Sequence, residues 1–222
     1  MKLIEQLHGS FVASRRVRVL AAHLANIMPP RASVLDVGCG DGQLAWLLSQ
    51  RRPDLRITGV DVLVRKETRV PVKPFDGRTL PFAPQAFDVV SFVDVLHHCD
   101  CQLELLAEAR RVARQAIVIK DHSQQGFAAE RTLRFMDGVG NRRHGVALPY
   151  NYWRPEQWTA AFASLGLTVD QQVDRLGLYR WPLSLAFDRR LHFVARLIVS
   201  APVEVEVDAE RSQELLETIG IG

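Results

Sequence analysis

Val34-Leu35-Asp36-Val37-Gly38-Cys39-Gly40-Asp41-Gly42 is a buried strand that breaks into a glycine turn. Ser33 to Val37 is short and apolar, which suits a strand covered on both faces. Leu44-Ala45-Trp46-Leu47-Leu48 follows with the apolar spacing of a helix. Gly38, Gly40 and Gly42 stand between the two, where the chain must turn sharply and let a ligand approach its backbone. Pro53 breaks the helix, and Ile57-Thr58-Gly59-Val60-Asp61-Val62 reads as a second strand. Strand, turn, helix and strand in that order make a βαβ unit with a parallel pair.

The same alternation runs through the rest of the chain. Upstream, Val12, Val17, Leu20, Ala21, Leu24 and Ile27 share a helical face, and Pro29-Pro30 ends that helix. Downstream, a short element is expected at Val70–Val72. A strong strand at Phe87–Val93, a helix from Cys101 to Val112 and a buried strand at Ala116–Lys120 follow. Phe127 to Asp137 is predicted helical, with Gly138-Val139-Gly140-Asn141 as its stop. Pro155 opens another helix that ends near Gly166, Leu167 begins a strand, and Leu191 to Ile198 is the last. This pattern predicts an α/β doubly wound sheet with helices on both faces. Its ligands lie beyond the carboxyl ends of the strands, which directs attention to Asp36–Gly42, Asp61, Asp94–His98 and Asp121.

Composition narrows the classes. The chain has 222 residues, so one domain over residues 1–200 is expected, with a substrate or lid insert near 122–154 and a tail at 201–222. Net charge is +3, and the basic residues are scattered in short clusters such as Arg15-Arg16-Val17-Arg18, read here as solvated faces. A nucleic-acid partner would call for a longer basic stripe with interleaved aromatics, and none is expected. Three cysteines, Cys39, Cys99 and Cys101, do not make a disulfide framework, and no second Cys/His pair stands at ligand spacing to complete Cys99-Asp100-Cys101 as a metal site. No metal is therefore expected. The amino terminus does not read as a signal peptide, and no apolar run reaches membrane-span length. The expected setting is cytoplasmic, as a monomer or homodimer.

The turn also tells what its ligand is not. A dinucleotide-binding turn reads G-x-G-x-x-G, whereas Gln43 follows Gly42 and no glycine stands at the required spacing. Asp36 lies two residues before the first glycine, where a carboxylate would repel a pyrophosphate but accept an ammonium group. Asp61 ends the second strand about 20 residues beyond the turn, where an acidic side chain accepts ribose hydroxyls. A ligand with a nucleoside and a cationic amino-acid part, and without phosphate, fits best: S-adenosylmethionine.

Five ordered segments carry a resemblance. Val34–Gly42, Gly59–Val62, Phe75-Asp76-Gly77-Arg78-Thr79-Leu80-Pro81-Phe82, Phe87–Val90 and Val93-Asp94-Val95-Leu96-His97-His98 resemble successive motifs of the class I S-adenosylmethionine-dependent methyltransferases. The nearer likeness is to the subgroup with small-molecule and ubiquinone-pathway enzymes. The match runs from about Ser33 to Lys120. It implies a Rossmann-like sheet, mostly parallel with an antiparallel last strand. It also implies that Asp36 and the backbone of Gly38, Cys39 and Gly40 hold the methionine part. Asp61 would bind the ribose, and Val62 with Leu63 would pack on the adenine. Asp76 and the Gly77 amide would meet the adenine edge, and the main chain at Val93, beside Asp94, would take the ammonium. Gly77 stands where the family commonly has alanine, and Val64–Lys73 is unusually charged.

Transfer from a sulfonium needs alignment above all, with a base only if the acceptor must lose a proton. His97 and His98 follow the strand that ends at the cofactor and are candidates for that base. Asp121 and His122 end the next strand; adjacent side chains diverge there, so an internal dyad is not expected of them. His144 and Tyr150 are candidate lid residues. The insert from Ser123 to Trp153 mixes aromatics with arginines, a composition suited to an aromatic or acidic small-molecule acceptor. Two other readings compete: a non-catalytic S-adenosylmethionine-binding protein, and an NAD-linked oxidoreductase.

Overall fold

The computed structural model describes the backbone of residues 2–141 and 149–199, and side chains of residues 15–139 and 149–199. In chain order the elements are α1 (Lys2–Ile27), β1 (Ser33–Val37), α2 (Gln43–Arg51), β2 (Arg56–Asp61), β3 (Val72–Pro74) and β4 (Phe87–Val93). A 3-10 turn (Leu96–His98), α3 (Gln102–Val112), β5 (Ala113–His122), α4 (Ala129–Asn141) and α5 (Pro155–Ser164) follow. The described chain ends with β6 (Leu167–Val173), α6 (Ser184–Phe187) and β7 (His192–Val199).

The strands form one sheet in the order β3-β2-β1-β4-β5-β7-β6. Strands β1 to β5 pair in parallel, and β7 runs antiparallel to both β5 and β6. This is the Rossmann-like sheet with an antiparallel last strand. The strand order reverses between β1 and β4, which puts a crevice at the carboxyl ends of those strands.

Side chains on a strand alternate between faces, and the core divides accordingly. Leu35, Val37, Val90, Phe92, Ile117 and Ile119 join Leu105 and Leu106 of α3 and Trp158 and Phe162 of α5. Val34, Val89, Ala116, Val118 and Val194 join Leu20, Leu24 and Ile27 of α1 and Leu48 of α2. Continued to the strand ends, the alternation places Asp36 and Lys120 on the side of α1 and α2.

Element edges differ from the sequence expectations in three instructive places. The short edge strand is Val72–Pro74, because Val70 is held in the preceding loop against Gly42, whose added Cβ would lie 2.7 Å from Val70 Cγ2. Helix α4 starts at Ala129 and continues through Gly138 and Gly140 to Asn141. The helical cost of glycine is about 1 kcal/mol each, and the packed face of Ala129, Leu133 and Asp137 outweighs it. Helix α1 extends back to Lys2, beyond the apolar pattern that begins at Val12. The tail at 201–222 lies outside the described residues. Among the described residues, no helix is long and apolar enough to cross a membrane.

Candidate active site

The glycine turn is built by its own amides. Gly38 N–H and Cys39 N–H both donate to the Val60 carbonyl, at 2.8 and 3.3 Å, and Gly40 N–H donates to Asp61 Oδ2 at 2.8 Å. A phosphate cradle requires free N–H groups, and these three are engaged with β2. A ligand over this turn meets oxygens instead. Gly38 is left-handed at φ 70°, and a Cβ there would stand 2.5 Å from Val95 Cγ2, so only glycine fits. Gly40 is also left-handed, at φ 60°, but nothing lies within 4 Å of its Cβ position. That open side is where a ligand can touch the backbone. Cys39 differs: its thiol rests on Gly59, its N–H donates to the Val60 carbonyl and its own carbonyl accepts from the Gly42 amide at 3.0 Å.

Beneath the turn, Asp36 is 7% exposed and accepts a hydrogen bond from Ser91 Oγ at 2.9 Å. Burial pushes its carboxyl up to about 6, against that hydrogen bond. Asp61 also accepts from the Leu63 amide at 2.8 Å. A carboxylate has about four acceptor positions, so two remain after the two amides. Asp76 Oδ1 accepts from the Thr79 and Arg78 amides at 2.7 and 2.8 Å, and these bonds hold its carboxyl below its ordinary value. Its second oxygen stays available. Gly77, at φ 84°, brings its Cβ position within 3.2 Å of Val62 Cγ1, and Val62 and Leu63 are both exposed. Val93 ends β4 beside β1. The residues expected around S-adenosylmethionine thus lie at or just beyond the carboxyl ends of β1 to β4.

The ends of β4 and β5 hold a second, more deeply buried group. Asp94, left-handed at φ 57°, joins Arg16 of α1 at 2.7 Å and Lys120 of β5 through its two oxygens. Burial alone would raise the Asp94 carboxyl, but the two cations hold it well below its ordinary value. Its carboxylate is thus engaged, and its N–H donates to the Lys120 carbonyl at 2.8 Å. His97 Nδ1 lies 2.5 Å from Asp121 Oδ1, and Asp121 also accepts from the Leu96 amide at 3.0 Å and the His122 amide at 2.7 Å. On its other side, His97 Nε2 faces Asp137 Oδ2 of α4 at 3.4 Å, and the Tyr152 hydroxyl donates to the same Asp137 oxygen.

Burial opposes a charge on His97, yet Asp121 and Asp137 outweigh it and raise its pKa. Burial and the neighbouring His97 lower His98, and burial with His97 and Lys120 brings His122 down to about 4. His122 is therefore neutral at pH 7.

Several sequence expectations are corrected here. Asp121 and His122 do not diverge: Asp121 folds back to accept its neighbours' amides, which leaves His122 Nδ1 only 3.4 Å from its carboxylate. Arg16 is not solvated but reaches Asp94, 78 positions away. Cys99 and Cys101 turn their thiols to the Val95 and Gly77 carbonyls. His144 lies outside the described residues. Lys120, Asp137 and His192 carry no local sequence signal, and the contacts of Arg16 and Tyr152 likewise gain their meaning only from the others.

The return segment after the insert clamps the histidine turn. Asn151 N–H donates to the His97 carbonyl at 3.2 Å, and Gln102 Nε2 bridges the Leu96 and Asn151 carbonyls at 2.8 and 2.7 Å. Beside this clamp lies an open cavity of about 550 Å³, lined by Asp100, Cys101, Gln102, Tyr150, Asn151, Tyr152 and Trp153 among others. Tyr150 carries the Arg134 guanidinium 5.0 Å from its ring centre.

Known proteins agree with this geometry. Residues 10–172 match a family model described as a methyltransferase domain. Over 110 residues the chain is 29% identical to 27-O-demethylrifamycin SV methyltransferase of Amycolatopsis mediterranei, covering 43% of this chain and 40% of the relative. It is 33% identical over 89 residues to demethylmenaquinone methyltransferase of Thermotoga maritima, covering 37% and 39%. The chain thus spans well under half the length of either relative. A crystal structure of an S-adenosylmethionine-dependent methyltransferase from Aquifex aeolicus superposes with a TM-score of 0.52 at 16% identity, over 77% of this chain and 84% of that one. That likeness concerns the fold. With the family model matched over most of its length, a Rossmann-like sheet of the family's topology and the glycine turn at its centre, the chain belongs to the methyltransferase-domain family.

Proposed function

We propose that this protein transfers the methyl group of S-adenosylmethionine to a small-molecule acceptor, by O-, N- or C-methylation. One observation carries the reading. The turn that would cradle a phosphate in a dinucleotide enzyme has its amides tied to Val60 and Asp61, while the Gly40 face is open and Asp61 keeps free acceptor positions. When bound, S-adenosylmethionine supplies a methyl group on an already activated sulfonium. The chain's own residues bind and orient. Asp36 and the turn carbonyls attract the ammonium, Asp61 takes the ribose, and Val62 and Gly77 flank the adenine with Asp76 at its edge.

The acceptor belongs in the cavity beside Tyr150, Tyr152 and Trp153, whose aromatic walls and polar rim suit a flat molecule with polar substituents. The relatives named above both act on small molecules. Proton handling, where the acceptor needs it, falls to the adjoining group of His97, His98, Asp121 and His122.

Two outcomes test this. S-adenosylhomocysteine should raise the melting temperature by several degrees and NAD should leave it unchanged, because only a ligand of the native state stabilises it. A shift with NAD, or none with S-adenosylhomocysteine, sinks the cofactor assignment. The second test uses pH. The Asp36 carboxylate, not its acid, attracts the ammonium, so affinity should be full above about pH 7 and fall up to about tenfold per unit below about pH 6. The sign for the ligand-free fold is opposite. A folded carboxyl with a raised pKa binds its proton before the unfolded chain does, so its contribution to stability grows as pH falls through about 6. Titration calorimetry across pH 5 to 8 reads the first effect, and Asp36→Asn should flatten it. An unchanged profile in that variant removes Asp36 from the site.

A further inference from the structure

The His97 imidazole is fixed by Asp121 on one side and faces Asp137 on the other. Its Nδ1 is 2.5 Å from Asp121 Oδ1, and the Leu96 and His122 amides pin that carboxylate in place. A carboxylate that accepts from Nδ1–H leaves the lone pair of a neutral ring on Nε2. That Nε2 is buried, has no hydrogen-bond partner among the described residues, and faces Asp137 Oδ2 at 3.4 Å. Two such atoms confronting each other in a buried place call for a positive charge between them, either a proton on Nε2 or a metal ion in its place. His98 Nδ1, on the adjacent residue, is likewise buried without a hydrogen-bond partner. The ligand atoms offered by His97, His98 and Asp137 all lie within 4.8 Å of one another.

We propose that His97 Nε2, His98 and Asp137 form a binding site for a divalent transition-metal ion. Ligands about 2.1 Å from a tetrahedral ion stand about 3.4 Å apart, the separation of His97 Nε2 and Asp137 Oδ2. Two imidazoles and a carboxylate select zinc, cobalt or a related ion over magnesium and calcium, which prefer oxygen. The surroundings supply what metal sites require. Asp121 behind His97 is the carboxylate–histidine support that fixes a ligating ring, and the Tyr152 hydroxyl steadies the Asp137 carboxylate. The alternative trio of His97, Asp121 and His122 fits less well, because its closest nitrogen and oxygen, 2.5 Å apart, are spaced for a shared proton.

Charge points the same way. Asp94, Asp121 and Asp137 face Arg16, Lys120 and His97 among the described residues of this cluster, so the carboxylates favour positive charge at the His97 ring. A divalent ion bound there would take the place of a proton on Nε2 and attract an anionic oxygen. Three protein ligands leave a position open for such an oxygen, a hydroxide or the hydroxyl of an acceptor. Its role in catalysis, lowering the pKa of an acceptor hydroxyl, rests on the methyltransferase reading; the binding itself does not.

The test is direct. The full chain is stripped with a chelator and titrated with Co²⁺. Saturable one-to-one binding with a visible d–d band of low coordination number is expected, together with a rise in melting temperature. Zn²⁺ should displace the cobalt, and Mg²⁺ should do neither. Asp137→Asn and His98→Gln should each weaken Co²⁺ by about tenfold or more, while His23→Gln on α1 leaves it unchanged. S-adenosylhomocysteine binding checks that each variant is folded.

Absence of a saturable band, equal affinity in both ligand variants, or His97 doubly protonated by ¹⁵N NMR and indifferent to Zn²⁺ overturns the site. Loss of cobalt binding with the S-adenosylhomocysteine shift intact rejects the metal alone. Cobalt binding without that shift rejects the cofactor reading alone.

Discussion

Replacing Asp61 by alanine should weaken S-adenosylhomocysteine binding by about 100-fold or more while leaving the protein folded. Asp61 stands at the carboxyl end of β2, where its two oxygens accept the Gly40 and Leu63 amides at 2.8 Å each. Two acceptor positions remain for the ribose hydroxyls. Hydrogen bonds to a charged group contribute about 1.5–3 kcal/mol each, so losing two costs about 3 kcal/mol or more. Every 1.4 kcal/mol is about a factor of ten in affinity. The variant also frees the Gly40 amide, which loosens the turn that carries the methionine end. Stability falls far less, because Asp61 is half-buried and the freed amides lie at a surface that water reaches. Asp61→Asn should be intermediate, since one carbonyl oxygen still accepts. Calorimetry with S-adenosylhomocysteine and circular dichroism measure the two effects; affinity within about threefold of the parent, under about 1 kcal/mol, rules out the ribose role.

Asp94→Ala should do the reverse, with its main effect on stability. Lys120 is completely buried, and its ammonium has Asp94 as its ion-pair partner, with His192 Nδ1 at 3.5 Å as its other contact. Removing one partner of a buried pair leaves an uncompensated charge and costs about 3–5 kcal/mol. For a chain of this length each kcal/mol is about 2–4 °C, so melting should drop by about 10 °C. Arg16 loses its anchor in the same step, which loosens α1 where it crosses the end of β4. The double variant Asp94→Ala, Lys120→Met should recover most of the loss, because an apolar side chain of similar length can replace the buried charge. If Asp94→Ala unfolds within about 1 kcal/mol of the parent, the ion group does not stabilise this fold.

The contrast between these two residues explains how much could be read from the chain. Asp61 was legible because its meaning is local: a strand of β-branched residues ends at an acid a fixed distance beyond a glycine turn. Asp36, Gly38, Gly40, Asp76 and Gly77 share that property. Asp94 stood in a later motif of the same series, yet its carboxylate serves Arg16 and Lys120, neither of which had any pattern to mark it. Lys120 read as the polar end of a buried strand, and Arg16 as one of several arginines on a helix.

Helix α4 shows the same limit in its backbone. Its glycines argued for an end at Asp137, but Asp137 sits under Tyr152 and beside His97, and those contacts extend the helix past them. Local propensity of about 1 kcal/mol per glycine is small beside a packed, hydrogen-bonded face.

The sequence by itself determined the parallel α/β order, the glycine turn and the kind of ligand that turn admits. These follow from hydrophobic period, from glycine's freedom at positive φ and from the sign of a carboxylate, all of which act within a few residues. Only the tertiary structure decided that His97, His98, Asp121, His122, Asp137 and Tyr152 converge, and that Arg16 and Lys120 neutralise Asp94 beside them. Such a group exists because separate strand ends and a distant helix are packed into one low-dielectric place, where each unpaired lone pair or charge must find a partner.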